Sequence, residues 1–124
     1  MRIIGLVILM ILLASCTESS NPSPDSCQVI RMVSTQTGFR LANTNSPNVI
    51  TKVGGCIEFV NDDPNSVHNA QSRPGIPNNL AFNTPILARG ESQKVFFNIA
   101  GEIEYICGVG SHATTMNGRI TVQP

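Results

Sequence analysis

Apolar and polar residues alternate along most of the chain from Cys27 onward, with the period of two that is typical of half-buried β-strands. In residues 102–107, for example, Ile103, Tyr105 and Cys107 fall on one face. Turn-forming residues separate such segments, and no stretch repeats at the helical period of about 3.6 residues. The predicted strands cover residues 27–33, 49–53, 56–60, 93–99, 102–107 and 118–122. This pattern predicts an all-β sandwich in a single domain, residues 27–124.

Residues 70–90 do not follow the alternating pattern. They contain Pro74, Pro77 and Pro85, which cannot donate a backbone hydrogen bond to a sheet. We therefore interpret this segment mostly as surface loop.

The N-terminus has the features of an export signal. Arg2 precedes an apolar run, residues 3–13, which is too short for a transmembrane helix of about 20 residues but has the length of a signal-peptide core. The run ends in Leu13-Ala14-Ser15-Cys16, which resembles a bacterial lipobox. We predict a lipoprotein signal peptide over residues 1–15 and lipidation of Cys16. The alternative is an ordinary secretory signal that happens to contain a cysteine.

Residues 16–26 link this signal to the domain. After Cys16 they are rich in Ser, Pro and Asn and carry almost no apolar side chains that could be buried. We predict a lipidated N-terminus followed by a flexible tether to the membrane. This places the domain in the cell envelope of a bacterium, facing the periplasm or the cell exterior.

The composition narrows the classes of function. The 8 Lys and Arg residues balance the 8 Asp and Glu residues, which argues against nucleic-acid binding because that needs a basic surface. The 2 His residues are too few for a catalytic zinc site with three His ligands, or for a multinuclear copper centre. Any metal site in this chain must therefore include sulfur ligands.

Three side chains of metal-binding type lie in one short segment: Cys107, His112 and Met116, spaced Cys-x4-His-x3-Met. Cys107 stands at the end of a predicted strand, and the loop after it can bring all three around one ion. His68 lies 39 residues before Cys107 and just after the turn-like residues 61–65, so in a sandwich the two loops can meet at one end. Two His, one Cys and a weak Met form the ligand set of blue-copper electron-transfer sites. Thiolate and thioether suit Cu(I), and imidazole accepts both oxidation states.

Residues 50–122 resemble the cupredoxins, the family of plastocyanin, pseudoazurin, amicyanin and azurin. The residues that carry the resemblance are Phe59-Val60-Asn61-Asp62, His68-Asn69, Gly90-Glu91-Ser92, Tyr105-Ile106-Cys107, His112, Met116 and Gly118-Arg119-Ile120-Thr121-Val122. The Cys-x4-His-x3-Met loop is similar to that of azurin. The separation of 39 positions from His68 to Cys107, however, leaves no room for azurin's helical flap, so the body is closer in size to amicyanin or plastocyanin.

The resemblance implies a Greek-key β-sandwich that holds one type 1 copper ion. Its ligands by position are His68, Cys107, His112 and Met116. It further implies that Asn69 ties the two ligand loops together and forms a hydrogen bond near the thiolate sulfur.

Cys27 and Cys56 are the cysteines that neither the lipid nor the metal uses. An oxidising compartment outside the cytoplasmic membrane favours a disulfide. A Cys27–Cys56 bond leaves the Cys107 thiolate free and resembles the disulfide that azurin carries. The alternative is two separate buried thiols.

These features predict a membrane-anchored, monomeric one-electron carrier that docks transiently with redox proteins of the cytochrome, oxidase or reductase type. Val109, Gly110 and Ala113 would form an apolar patch around His112, where the partner docks. The alternative is a lipid-anchored copper-binding or delivery protein without redox turnover, which would be colourless with Cu(I).

An enzyme is disfavoured, because the chain has no His-x-His motif for a trinuclear cluster and no second Cys in residues 107–116. Four protein ligands also leave no open position for a substrate. A structural zinc site could use the same Cys and His residues, but a Met ligand argues against zinc.

Overall fold

The computed structural model describes residues 26–124. The predicted signal peptide, the lipidation site Cys16 and nearly all of the tether lie outside the described residues. Within them the chain forms β-strands and one short 3-10 turn, and no helix is long and apolar enough to cross a membrane. The strands are β1 (Gln28–Ser34), β2 (Gly38–Leu41), β3 (Val49–Lys52), β4 (Gly55–Asn61), β5 (Gln71–Ser72), β6 (Ser92–Phe97), β7 (Gly101–Ile106) and β8 (Asn117–Gln123).

The strands form two four-stranded sheets, in the orders β2-β1-β4-β6 and β3-β8-β7-β5. β1 pairs in parallel with β4 and β3 in parallel with β8, whereas the remaining neighbours are antiparallel. Both sheets contribute alternate side chains to one buried core, including Ile30 and Phe59 from the first and Ile103 and Ile120 from the second. The predicted all-β sandwich is therefore confirmed. For each of the six predicted strands, the first and last residues lie within two positions of those of the observed strand.

Aromatic rings fill the centre of this core. The ring centroid of Tyr105 lies 4.7 Å from that of Phe39 and 5.8 Å from that of Phe59. The Tyr105 hydroxyl donates a hydrogen bond of 2.6 Å to the carbonyl of Pro47, so its one polar group has a partner. Burial raises the pKa of Tyr105, because the charged phenolate is poorly solvated there.

Two strands were not predicted from the sequence. β2 has four residues and begins at Gly38, whose φ of +76° strongly favours glycine. β5 has two residues and lies in the segment 70–90. The interpretation of that segment as mostly surface loop holds for most of its residues, but Ala70 at its start and Thr84 and Leu87 near its end are buried. The Thr84 amide donates a hydrogen bond to the Ala70 carbonyl, and the Ala70 amide donates one to the Thr84 hydroxyl. These bonds hold the two ends of the segment together although its sequence has no alternating apolar pattern.

The predicted disulfide between Cys27 and Cys56 is confirmed. Cys27 directly precedes β1 and Cys56 lies near the start of β4, so the bond joins two neighbouring strands of the first sheet. From Cys56, β4 runs the length of the sheet to Asn61, and the chain then continues toward His68 at the opposite end. The disulfide and the predicted metal site thus occupy different ends of the sandwich.

Candidate metal centre

Two loops at one end of the sandwich carry the predicted ligands. The first follows β4 and brings His68 into an isolated antiparallel bridge with Leu87, where the backbones exchange hydrogen bonds of 3.1 and 2.7 Å. The second joins β7 to β8 and contains Cys107, directly after β7, and the 3-10 turn His112–Thr114. The Cys107 amide donates to the Met116 carbonyl at 3.0 Å, which closes this loop at its base.

The two loops bring His68, Cys107 and His112 together. Nδ1 of His68 lies 3.2 Å from Nδ1 of His112, and Cys107 Sγ lies 3.7 Å from each of these nitrogens. His68 and Cys107 are fully buried, whereas His112 is half-buried at the rim. Cys107 is also the free cysteine of the described chain. The prediction that these three side chains meet at one end of the sandwich is confirmed.

The triangle of donor atoms has the size that a first-row metal ion needs. A point in its plane lies roughly 2.1 Å from all three atoms, close to the roughly 2.0–2.3 Å at which Zn²⁺ holds imidazole nitrogen and thiolate sulfur. Two imidazoles and one thiolate in a trigonal arrangement are typical of blue-copper sites rather than of closed tetrahedral zinc sites. The donor set therefore supports copper as the cofactor.

Comparison with solved structures identifies the fold. The chain is similar to a mutant of amicyanin in its Cu(I) form, with a TM-score of 0.62 and 21% identity over 80% of this chain and 84% of that one. It is also similar to an oxidised amicyanin mutant, with a TM-score of 0.61 and 20% identity over 78% and 82%. The chain has the cupredoxin fold. The predicted amicyanin-like size agrees with the similar coverage of the two chains, 80% of this one and 84% of amicyanin.

Part of a larger protein is similar to this chain as well. The Cu-containing nitrite reductase from Thermus scotoductus SA-01 matches with a TM-score of 0.65 and 27% identity over 80% of this chain. The match spans 23% of the reductase, so it covers one part of that protein. No protein-family model matches the chain, and no curated protein does either.

Asn69 connects the two ligand loops of this cupredoxin domain. Its side-chain oxygen accepts a hydrogen bond of 2.6 Å from the Gly108 amide, next to Cys107. Its side-chain nitrogen donates to Gln71 at 2.9 Å and to Asn83 at 3.2 Å. The amide group is thus held on both sides and fixes the separation of the loops that carry His68 and Cys107.

Met116 is fully buried at the end of the second loop. Its amide donates to the His112 carbonyl at 2.8 Å, and its carbonyl accepts from Cys107. The Met116 backbone is therefore tied to both ligand residues of its loop. The axial ligation of copper by its sulfur stays a prediction.

Asp63 is the residue of this site that the sequence analysis missed. Its Oδ2 lies 2.7 Å from Nε2 of His68, and both side chains are buried. Burial alone would raise the pKa of Asp63, but the hydrogen bonds from His68 and from the Asn65 amide outweigh it and hold that pKa below its usual range. Asp62 and Asp63 are adjacent in a turn-like segment, and their sequence gives no signal of which one faces the histidine.

Proposed function

We propose that this protein is a membrane-anchored, mononuclear type 1 copper protein that carries single electrons between redox partners and acts as a monomer. The observation that carries the proposal is the convergence of Nδ1 of His68, Nδ1 of His112 and Sγ of Cys107 within 3.7 Å of one another. Copper, when bound, supplies the one-electron couple. Met116 would complete the proposed ligand set as a weak ligand through its thioether sulfur.

The residues around the ligands favour rapid exchange between two oxidation states. Asn69 bridges the two loops, and the backbone of Met116 closes the second loop on Cys107 and His112. Ligands held in this way keep their positions when the charge of the metal changes, so little reorganisation accompanies electron transfer. Amicyanin mutants have been solved in oxidised, reduced and Cu(I) forms, and the likeness to them supports a site that serves both states.

The rim of the site supports docking of a redox partner. Residues 108–118 carry no Asp, Glu, Lys or Arg, and His112 is half-buried among them with Val109 and Ala113. Val67, next to His68, and Ile86, next to Leu87, are exposed on the neighbouring segments. We propose that a cytochrome, oxidase or reductase meets this apolar surface in a transient complex, for which interfaces below about 1,200 Å² are typical.

We also propose that the protein is not an enzyme. Within residues 26–124, the cluster of His68, Cys107 and His112 is the single group of His, Cys, Asp and Glu side chains that could hold a metal. With Met116 as fourth ligand, no position remains for a substrate. The nitrite reductase is matched over 23% of its length, so its activity does not follow from the shared fold.

The location of the protein belongs to the same proposal. Residues Leu13–Cys16 support a lipid anchor, and the Cys27–Cys56 disulfide fits an oxidising compartment such as the bacterial periplasm or the cell exterior. We therefore place the copper domain on the outer side of the cytoplasmic membrane, held there through Cys16.

The visible spectrum of the copper-loaded full chain tests the proposal. We expect an intense blue colour from charge transfer between the Cys107 thiolate and Cu(II), bleached by ascorbate and restored by oxidation. The Cys107→Ser variant should be colourless because the hydroxyl cannot replace the thiolate. A wild-type protein that binds only Cu(I) and never turns blue would contradict the carrier and favour copper delivery.

A further inference from the structure

Both ring nitrogens of His68 are engaged, one on each side of the imidazole. Nδ1 faces Cys107 Sγ at 3.7 Å and His112 Nδ1 at 3.2 Å, and Nε2 faces Asp63 Oδ2 at 2.7 Å. An ionised carboxylate can only accept a hydrogen bond, so Nε2 must carry the proton. In the neutral imidazole this leaves the lone pair on Nδ1, which points at the metal site. The contact with Asp63 thus selects the tautomer that can bind a metal.

The carboxylate of Asp63 is itself held in place. Its Oδ1 accepts from the Asn65 amide at 2.8 Å, and its own amide donates to the Asn61 side chain at 2.9 Å. The Asn61 side chain in turn donates to the carbonyl of Leu87 at 2.8 Å, and Leu87 pairs with the backbone of His68. Asp63 and His68 are therefore fixed relative to each other by backbone contacts as well as by their own hydrogen bond.

The two histidines differ in whether a carboxylate is paired with the imidazole ring. Asp63 is 2% exposed and His68 is 0% exposed, so no solvent competes for their hydrogen bond. Within the described chain no carboxylate lies in ion-pair distance of His112. The negative charge of Asp63 thus lies next to His68 and not next to His112, in buried surroundings where charges are weakly screened.

We propose that Asp63 is a positioning residue that orients His68 toward the metal and stabilises Cu(II) relative to Cu(I). This inference rests on the proposed copper site. A carboxylate that accepts the Nε2 proton makes the imidazole a stronger donor, and partners of this kind contribute about 10- to 100-fold to metal affinity. The benefit is larger for the ion of higher charge, because the attraction to a nearby negative charge grows with the charge of the ion.

The Asp63→Asn variant of the full chain tests this role, because the side-chain amide keeps the size of the carboxylate but removes its charge. We expect the affinity for Cu(II) to fall about tenfold relative to that for Cu(I), which raises the reduction potential by about 59 mV. Asp62→Asn is the matched control: Asp62 is the adjacent residue, is exposed and pairs with Arg31 at 2.6 Å instead of with a ligand. Its potential should move far less. Equal shifts in the two variants, or no shift in Asp63→Asn, would overturn the proposal.

A measurement on the unmodified chain gives a second test. In the Cu(I)-loaded protein, nitrogen-15 NMR should show a proton bonded to Nε2 of His68 that exchanges slowly with solvent, because the bond to Asp63 is buried. A proton on Nδ1, or a rapidly exchanging Nε2 proton, would contradict the inference.

The two proposals fail in different ways. A wild-type protein that never turns blue contradicts the electron carrier and the role of Asp63 together. A blue wild-type protein whose Asp63→Asn variant keeps the same potential contradicts the role of Asp63 alone.

Discussion

At the scale of single residues, the metal centre depends on polar groups that bind no metal. Asn69 joins the two loops through one amide group, and Asp63 supports His68 from behind. Both are buried, and both have hydrogen-bond partners on more than one side. The ligand geometry is therefore set by the protein before copper arrives, which keeps the cost of binding and of redox exchange low.

Asn69→Ala should destabilise the protein by about 1–2 kcal/mol, because it removes the acceptor for the Gly108 amide. Urea denaturation of the copper-free protein would measure this as a lower midpoint with an unchanged slope. Asn83→Ala is the control, since Asn83 is exposed and its side chain accepts a long hydrogen bond of 3.2 Å from Asn69, whereas its backbone bridge to Gln71 does not need the side chain. A change within 0.5 kcal/mol for Asn69→Ala, the range of ordinary surface substitutions, would show that the bridge is unimportant.

The sequence predicts the candidate ligands more readily than the residues that support them. His68, Cys107 and His112 stand out because few side chains bind copper and their order and spacing are distinctive. Asp63 does not, because Asp62 and Asp63 have the same chemistry and only the path of the loop turns one inward. Such a path depends on contacts with distant residues, in this case the Asn61 bond to Leu87, which no local pattern encodes.

At the scale of elements, regular alternation explains which strands could be predicted. Along most of their length, β7 alternates between exposed and buried residues and β4 between half-buried and buried ones, and their bounds follow from the sequence. β5 is two residues long, too short for alternation to be visible, and the four residues of β2 do not alternate, because two buried residues are followed by two half-buried ones. They form because a neighbouring strand supplies the partner: β2 pairs with β1, and β5 pairs with β7.

The disulfide between Cys27 and Cys56 stabilises the first sheet by linking β1 and β4. Its two cysteines are 29 residues apart, for which the chain-entropy model gives about 3–4 kcal/mol. We expect the double variant Cys27→Ser/Cys56→Ser to lose about this amount in chemical denaturation. Its blue colour with copper should be retained, because the bond lies at the end of β4 opposite His68. Loss of the colour in a folded double variant would contradict this separation of roles.

At the scale of the whole molecule, the sequence predicts a membrane-directed N-terminus ahead of the copper domain. Residues 17–26 extend at most about 35 Å, so the anchored domain would stay close to the membrane surface while its partners move past it. An anchor of this kind confines electron exchange to proteins of the same membrane or to soluble carriers that visit it.

The Cys16→Ser variant tests the anchor. We expect it to be found in the soluble envelope fraction, whereas the wild-type protein remains with the membranes and carries an acylated Cys16 in its mass spectrum. The spectrum of the copper-loaded variant should be unchanged, since Cys16 is not a proposed ligand. A wild-type protein without acyl mass would contradict the lipid anchor and favour an ordinary secretory signal.

The pairing of β3 with β8 has a consequence for how the chain folds. β8 lies between β3 and β7, and Val49 of β3 pairs in parallel with Ile120 of β8. The second sheet therefore cannot be completed until β8 has been synthesised, and such long-range pairings make folding slow. We expect a chain that lacks β8 to remain incompletely folded, which suits the export that its N-terminal sequence predicts, and to complete the copper pocket only afterwards.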